Sequence, residues 1–309
     1  MDVQSKKLFM KLLSKEIELK LSKKILFNEI LANYSWFNLG GPSEVFFKPN
    51  SIEDLIFFLK ETKPDRVNIL GAGSNTLIRD GGVKGITIKL SPKFSYLNFI
   101  SPSFIEAGAS TLDKKIADFA LEHSLSGLEF LSCIPGSIGG AIRMNSGCYG
   151  QDISKILHSI NTIDLFGNEK IILASDISFY YRGSSLDDNL IITSVKLQGQ
   201  LGLKEEIEKK QKKLINQKKI AQPSQIKTCG STFKNTKNKK AWELIKESNC
   251  QNLQVGDAKI SEKHSNFFVN EGNASAKELE SLINKVRETV YQKTQVKLEL
   301  EIKIIGYNK

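Results

Sequence analysis

Between Gly127 and Gly150 the chain reads "GLEFLSCIPGSIGGAIRMNSGCYG", in which six of 24 residues are glycine against 22 of 309 overall. Glycine gives up more backbone freedom on folding than any other residue, so this density implies that the backbone must come close to something. Gly136, Gly139 and Gly140 follow Pro135 with little charge around them. Such a stretch can lie against a flat ligand, its amides meeting phosphate or ring heteroatoms, or it can be a connector between sheets. Local pattern leaves both readings open.

A second glycine-rich stretch, "ILGAGSNTLIRDGG", follows an extended run. Gly71-x-Gly73 there is not a dinucleotide fingerprint, because the sixth position is Thr76, no long helix is signalled after it, and no acid lies near position 91 to bind a ribose. What remains is a strand-to-loop turn in which Gly71 and Gly73 expose backbone N–H groups and Ser74 and Asn75 add side-chain donors. That suits a pyrophosphate without a helix dipole; a tight turn with no ligand is the competing reading. Two such loops, with no G-x-x-x-x-G-K-[ST] loop anywhere, favour a large, extended, phosphate-bearing ligand over a mononucleotide.

Composition narrows the partners. The formal charge is +10, but residues 1–24 hold seven lysines against three acids and residues 204–219 hold the same, so the excess is local. Only five of the 44 basic residues are arginine. Base readout and bidentate phosphate contacts favour arginine, so solvated lysine-rich helix faces explain the charge better than nucleic acid does. Cys133, Cys148, Cys229 and Cys250 form no C-x-x-C pair and the three histidines are scattered, which signals neither a disulfide framework nor a metal site. The N-terminal apolar run is too short for a signal-peptide core and no later run approaches a membrane span. The expectation is a cytoplasmic protein with no membrane insertion.

The periodicities describe an α+β chain. "EVFFKP", "VNIL" and "GITIKL" read as strands around a helix opened by Ser51 with Asp54 three residues on. A second set starts at "FIEAGA", passes through a helix at Leu112 to His123, and continues with "SINTIDL" and "LIITSVKLQ". Residues 204–219 read as a basic helix, followed by a helix at "AWELIKES", a strand at "NFFVN" and a helix capped by Ser275 with Glu278. In that last helix Leu279, Leu282, Ile283, Val286 and Val290 make one stripe. The expected division is a basic N-terminal helix at 1–24 without assigned role, subdomains at 25–92 and 93–203, and a C-terminal domain at 204–309.

Three further features could carry chemistry. Arg182 is a scarce arginine after two tyrosines, a planar and permanently charged donor or else half of a surface ion pair. "CGSTFKN" places Ser231 between Gly230 and Thr232, with Asn235 nearby, without the G-x-S-x-G of a hydrolase elbow. It is either a turn serine or one that gives up a proton. Glu301 lies in "VKLELEIKII", where Val296, Leu298, Leu300, Ile302 and Ile304 alternate on the apolar face; period two puts Glu301 with Glu299 and Lys303 toward solvent.

Taken in order from about Asn33 to Gly306, "GAGSNTLIRDGG", "GLEFLSCIPGSIGGAIRMNSGCYG", "FYYRGSS", "CGSTFKN", "AWELI", "VGDAKISEKHSNFFVN" and "LELEIKIIG" resemble the bacterial UDP-N-acetylenolpyruvoylglucosamine reductases. The resemblance implies an FAD-binding fold of the p-cresol methylhydroxylase type in two subdomains and a C-terminal α+β substrate-binding domain. It implies FAD as cofactor, NADPH as hydride donor, and UDP-N-acetylglucosamine enolpyruvate as substrate, in peptidoglycan precursor synthesis by a monomer. Ser231 matches the family's proton donor, Arg182 its enolate-stabilising arginine and Glu301 the glutamate of its terminal strand; Tyr181 and Asn235 match substrate-binding positions. Gly71, Gly73, Ser74, Asn75, Pro135, Gly136, Ser137, Gly139, Gly140, Asn145 and Gly147 align with the flavin-contacting stretches. Thr232 and Thr236 depart from the common pattern. Only 48 residues separate Arg182 from Ser231, which leaves no room for the extra substrate-covering segment of one subclass.

Overall fold

The computed structural model describes residues 14–309, so the first 13 residues of the basic N-terminal segment lie outside the described residues. The chain folds into two compact units that interleave in sequence. The first holds the chain up to Asn28, Val45–Ala72 and Gly85–Asn216; the second holds Glu29–Glu44, Gly73–Lys84 and Gln217–Lys309. The sequence division at 25–92, 93–203 and 204–309 is contiguous, whereas these units exchange two short segments.

The first unit has two cores. One lies on a four-stranded sheet in the order Ile25–Ile30, Pro42–Phe47, Val83–Ile88, Val67–Ile69, whose last pair is parallel. Helix α1 (Lys15–Leu21) and helix α2 (Ile52–Thr62) cover it. The Ser51 hydroxyl accepts the Asp54 N–H at 3.2 Å and so starts α2, as its sequence predicts. Phe58 of α2 stacks on Phe47 with ring centroids 3.9 Å apart. The visible part of the basic segment therefore packs: Ile17 and Leu21 are buried in this core, each stabilising the fold by on the order of 1.5–3 kcal/mol.

The second core fills one side of a five-stranded antiparallel sheet in the order Glu169–Leu173, Leu157–Ile163, Ile191–Gln198, Phe104–Gly108, Leu97–Ser101. Helices α3 (Asp113–Glu122), α4 (Ile138–Arg143) and α5 (Lys204–Ala221) complete this part of the unit. In α5 only Ile207 and Gln211 are buried, and Gln211 donates to Asp118 at 2.7 Å. The lysines of α5 are a mostly solvated face, as the charge pattern predicts.

In the second unit, α6 (Ala241–Glu247) and α7 (Ala276–Thr294) pack with a three-stranded antiparallel sheet of Gln254–Val255, Ala258–Ile260 and Phe268–Asn270. Ser275 and Glu278 form the expected capping box, and the five stripe residues of α7 are fully buried. The terminal strand is shorter than its alternation predicts, being regular only at Lys303–Ile305, where it runs parallel to Thr76–Ile78. Before it, the chain pairs residue by residue with the Ser231 loop: Lys234 N–H donates to Glu299 O at 2.8 Å and Leu300 bridges Phe233. Leu298 and Ile302 are buried as the period demands, and Glu301 is half-buried where the alternation predicts full exposure, its backbone held from two sides by Thr232 and Asn75.

Candidate functional site

Within the first unit the two glycine-rich loops meet. A side chain grown on Gly71 would point at Ser137 Oγ, 3.3 Å away, and at the Gly140 Cα, 3.9 Å away; one grown on Gly140 would find only Ser137 Oγ at 3.9 Å. Neither glycine has a positive φ. Neither lack of a Cβ answers a backbone strain; at Gly140 it answers no tight neighbour either, while a Cβ at Gly71 would press on the Ser137 hydroxyl, so a side chain at either position would intrude on the space between the loops. The loop is anchored from below: Gly139 N–H donates to Ala109 O at 3.0 Å, Ile138 N–H to Thr111 O at 3.0 Å, and Asp113 N–H to Gly136 O at 3.2 Å. Pro135 and Ser137 flank Gly136, whose φ is 136°. Gly147 is accounted for by packing, since a Cβ there would sit 2.3 Å from Gln151 O.

Asp113 is fully buried beneath this loop, and its carboxylate oxygens have no hydrogen-bond partner among the described residues. Burial, with no hydrogen-bond partner to offset it, pushes its carboxyl well above the ordinary carboxylate range.

Tyr181 and Arg182 form the tip of a hairpin whose strands are Phe179–Tyr180 and Gly183–Ser184. Arg182 is held at φ 59°, a left-handed conformation that costs a non-glycine residue roughly 1–2 kcal/mol. Its guanidinium carbon lies 5.0 Å from the centre of the Tyr181 ring, which is exposed. Asn145 is buried and links this hairpin to the glycine-rich loop: its side-chain N–H donates to Tyr180 O at 3.3 Å and its oxygen accepts Ser154 N–H at 3.0 Å. Ser184 Oγ adds a bond to Arg143 O at 3.2 Å. Asn145 acts on the hairpin's position through these bonds.

Within the second unit the chain fixes Ser231 from both sides. Gly230 at φ 79° supplies the turn before it. After it, Thr232 is fully buried, with its N–H donating to Asn266 O at 2.8 Å and its carbonyl accepting Glu301 N–H at 2.8 Å. Asn266, also buried, uses both ends of its side chain on Phe233, accepting its N–H at 3.0 Å and donating to its carbonyl at 2.8 Å. Ser231 itself is half-buried and pairs with Phe267. Among the described residues no histidine or carboxylate hydrogen-bonds its hydroxyl, which removes the base that a nucleophilic serine needs.

Asn75, aligned with the flavin-contacting stretch, makes contacts within the second unit that sequence gave no hint of. Its side-chain N–H donates to Glu301 O at 3.0 Å and its carbonyl accepts Lys303 N–H at 2.9 Å. Gly73 is filled by the chain itself, with φ 70° and Tyr34 O only 1.9 Å from where a Cβ would be; its carbonyl accepts Trp36 N–H at 3.1 Å. Cys229 donates to the Gly73 and Thr76 carbonyls at 3.5 Å each, and burial pushes its thiol up to about 12, so it is an inert neutral thiol. Asn235 spends its side-chain oxygen on the Ala241 N–H at 3.0 Å, at the start of α6, and keeps its amide N–H group for another acceptor. Among the described residues all four cysteines are free and no cluster of His, Cys, Asp or Glu is arranged to hold a metal ion. No described helix is long and apolar enough to cross a membrane.

The predicted residues fall into two sets. Gly71, Pro135, Gly136, Ser137, Gly139, Gly140, Asn145, Gly147, Tyr181 and Arg182 belong to the first unit; Gly73, Ser74, Asn75, Ser231, Asn235 and Glu301 belong to the second. Ser231, Glu301 and Asn75 are brought onto one backbone framework. Sequence reading missed Asn266 as its clamp, although "HSNFF" flags a lone amide entering an apolar strand.

Residues 43–171 match the family model described as FAD binding domain. Such a domain joined to an α+β C-terminal unit defines a class, proteins that combine an FAD binding domain with a second, mixed helix-and-strand unit. Residues 222–305 match the model described as UDP-N-acetylenolpyruvoylglucosamine reductase, C-terminal domain. The UDP-N-acetylenolpyruvoylglucosamine reductase of Pelagibacter ubique (strain HTCC1062) is 45% identical over 290 residues, covering 93% of this chain and 96% of the relative. That of Orientia tsutsugamushi (strain Boryong) is 43% identical over 89% of this chain and 92% of its own. The crystal structure of the Thermus caldophilus enzyme superposes with a TM-score of 0.80 at 31% identity, covering 92% of this chain and 98% of that one. The chain belongs to the UDP-N-acetylenolpyruvoylglucosamine reductase family.

Proposed function

We propose that this chain reduces the enolpyruvyl group of UDP-N-acetylglucosamine enolpyruvate to give UDP-N-acetylmuramate, using FAD and NADPH, for peptidoglycan synthesis. Its first unit would hold FAD and its second would supply the proton; the working form would be a cytoplasmic monomer. The observation that carries the reading is the Ser231 framework in a chain of this family: a half-buried hydroxyl, no adjacent base, and clamped neighbours on both sides.

FAD fits the first unit because Gly71, Ser137 and Gly140 carry little or no side chain where the two glycine-rich stretches meet, so that backbone can approach a phosphate or ring. Held there, FAD would supply hydride-transfer chemistry, with NADPH as the source of the hydride. The rest falls to the chain. Arg182, fixed at the hairpin tip, stabilises the negative charge that hydride addition leaves on the substrate's carboxylate side, as a preorganised donor does. Ser231 gives its proton to the α-carbon; an enolate is basic enough to take it from a hydroxyl without a histidine. Glu301 is held beside the Ser231 loop by Thr232 and Asn75 and assists that polarisation. Tyr181 and the Asn235 amide orient the substrate.

The test is anaerobic spectroscopy of the purified full chain. A flavin band near ~450 nm that bleaches with NADPH and returns on adding the enolpyruvyl sugar nucleotide is the expected result. A chain that binds no FAD, or whose reduced flavin ignores that substrate while reacting with oxygen, contradicts the reading.

A further inference from the structure

The hairpin that carries Arg182 at its tip has strands of two residues each, Phe179–Tyr180 and Gly183–Ser184. A ribbon that short does not hold itself, least of all with a non-glycine residue at φ 59° in its turn. Its support comes from residues 143–145, at the C-terminal end of α4, and reaches both strands. On one strand the Asn145 side-chain N–H donates to Tyr180 O at 3.3 Å; on the other, Ser184 Oγ donates to Arg143 O at 3.2 Å. Past the hairpin, the Arg143 guanidinium donates to the Asp187 carbonyl at 3.1 Å and to the Leu190 carbonyl, so the returning chain is held from the same place. Asn145 is buried and itself left-handed, at φ 40°. Its oxygen accepts the Ser154 N–H at 3.0 Å, so protein engages both ends of the amide. All of these residues belong to the first unit.

We infer that Asn145 is a positioning residue for Arg182, holding the strained turn in place from the glycine-rich loop, and is not a contact of the flavin. The inference rests on the reading of Arg182 as the group that stabilises the charge developing on the substrate. A residue in a sparsely populated backbone region persists only where its surroundings fix it. Tyr180 O, the acceptor of the Asn145 bond, belongs to the peptide that leads into the turn, so this bond sets the orientation of the backbone from which Tyr181 and then Arg182 project. The residue type follows from the two demands at position 145. Asparagine and aspartate are among the few non-glycine residues that tolerate a left-handed φ, and of the two only asparagine brings a donor as well as an acceptor. An amide that is buried and engaged at both ends has little left to offer a cofactor.

The test is a double-mutant cycle on the full, FAD-loaded chain, read as the anaerobic rate at which the flavin band returns when UDP-N-acetylglucosamine enolpyruvate is added to reduced enzyme. Asn145→Asp keeps the tolerance of a left-handed backbone and the acceptor for Ser154, and loses the donor to Tyr180 O. It should slow the return by about 10–100-fold, as a misplaced catalytic group does. FAD affinity of the same variant, titrated after stripping the flavin, should stay within about threefold of the unaltered chain. In an Arg182→Ala background Asn145→Asp should change the rate by no more than about twofold, because no guanidinium remains to be misplaced. Ser184→Ala, a milder loosening of the other strand, should slow the return about threefold alone and not at all in Arg182→Ala, and it decides the matter if Asn145→Asp does not fold. Penalties that add in the cycle overturn the inference. So does a loss of FAD affinity of about tenfold or more in Asn145→Asp, which would put the amide on the flavin. Arg182→Ala whose band returns at the unaltered rate removes the reading of Arg182 itself, and the inference with it.

Discussion

The two glycine-rich stretches look alike in sequence and do different things. In the loop after Gly73 every close neighbour of a glycine is the chain itself: a Cβ on Gly73 would be 1.9 Å from Tyr34 O, on Gly81 2.3 Å from Tyr307 O, and on Gly82 1.9 Å from Pro42 O. The same loop ties the second unit together. Arg79 makes two bonds to Glu280, at 2.9 and 2.7 Å, and the Asp80 carboxylate receives the Ala276 and Lys277 N–H groups at the start of α7, at 2.9 and 3.0 Å. Cβ atoms built on Gly71 and Gly140, by contrast, meet no backbone closer than 3.9 Å, their nearest neighbour being the Ser137 hydroxyl at 3.3 and 3.9 Å. Glycine density marks close approach, and only the neighbours say whether the approach is to protein or to ligand.

The sharpest way to break this comparison is a pair of substitutions. Gly73→Ala combines a left-handed backbone with a backbone clash and should destabilise the protein by roughly 3 kcal/mol or more. Gly140→Ala lies in α4, where alanine is the better helix former, and should leave stability unchanged or raise it by up to about 1 kcal/mol. Its methyl group enters the space between the loops and should weaken FAD binding by at least about tenfold. Denaturant melts and FAD titrations of both variants separate stability from affinity. Loss of stability without loss of FAD affinity in Gly140→Ala would erase the distinction.

A smaller effect sharpens the account of the Ser231 framework. The Thr232 hydroxyl is buried and hydrogen-bonds to nothing among the described residues. Such a group costs about 1–3 kcal/mol. Thr232→Val should therefore raise stability by about 1 kcal/mol while leaving turnover near normal, measured by urea unfolding and steady-state assay. The smallest effect concerns the second unit's ion pair. Hydrogen bonding and charge from Arg79 hold the Glu280 carboxyl below its ordinary value of 4.5. A depressed carboxylate contributes stability above its unfolded value, which is lost as pH falls through the folded one. Glu280→Gln should thus be less stable than the unaltered chain at pH 7, and the two melting curves should converge below pH 4.5.

Much of the fold was legible because it is local. The caps at Ser51 and Ser275, the α7 stripe and the lysine-rich face of α5 each follow from spacing within a few residues. What was not legible depends on partners far along the chain. The backbone of Glu301, a half-buried residue, is held by Thr232 and Asn75, 69 and 226 residues away in sequence, and alternation carries no such information. The exchange of residues 29–44 and 73–84 into the second unit has the same origin. Ser231 and Arg182 were singled out in sequence by resemblance; the physical reasons for their stability as sites, the Asn266 clamp and the Asn145 bridge, come from packing.

The most direct measurement of the central claim is a pair of half-reactions in Ser231→Ala, followed by anaerobic stopped-flow at the flavin band. NADPH should bleach the flavin at the unaltered rate, and the return of the band on adding UDP-N-acetylglucosamine enolpyruvate should slow by about 10²–10⁴-fold, as expected for loss of a positioned proton donor. An unaltered rate of return would show that the proton comes from elsewhere and that the Ser231 framework serves only the fold.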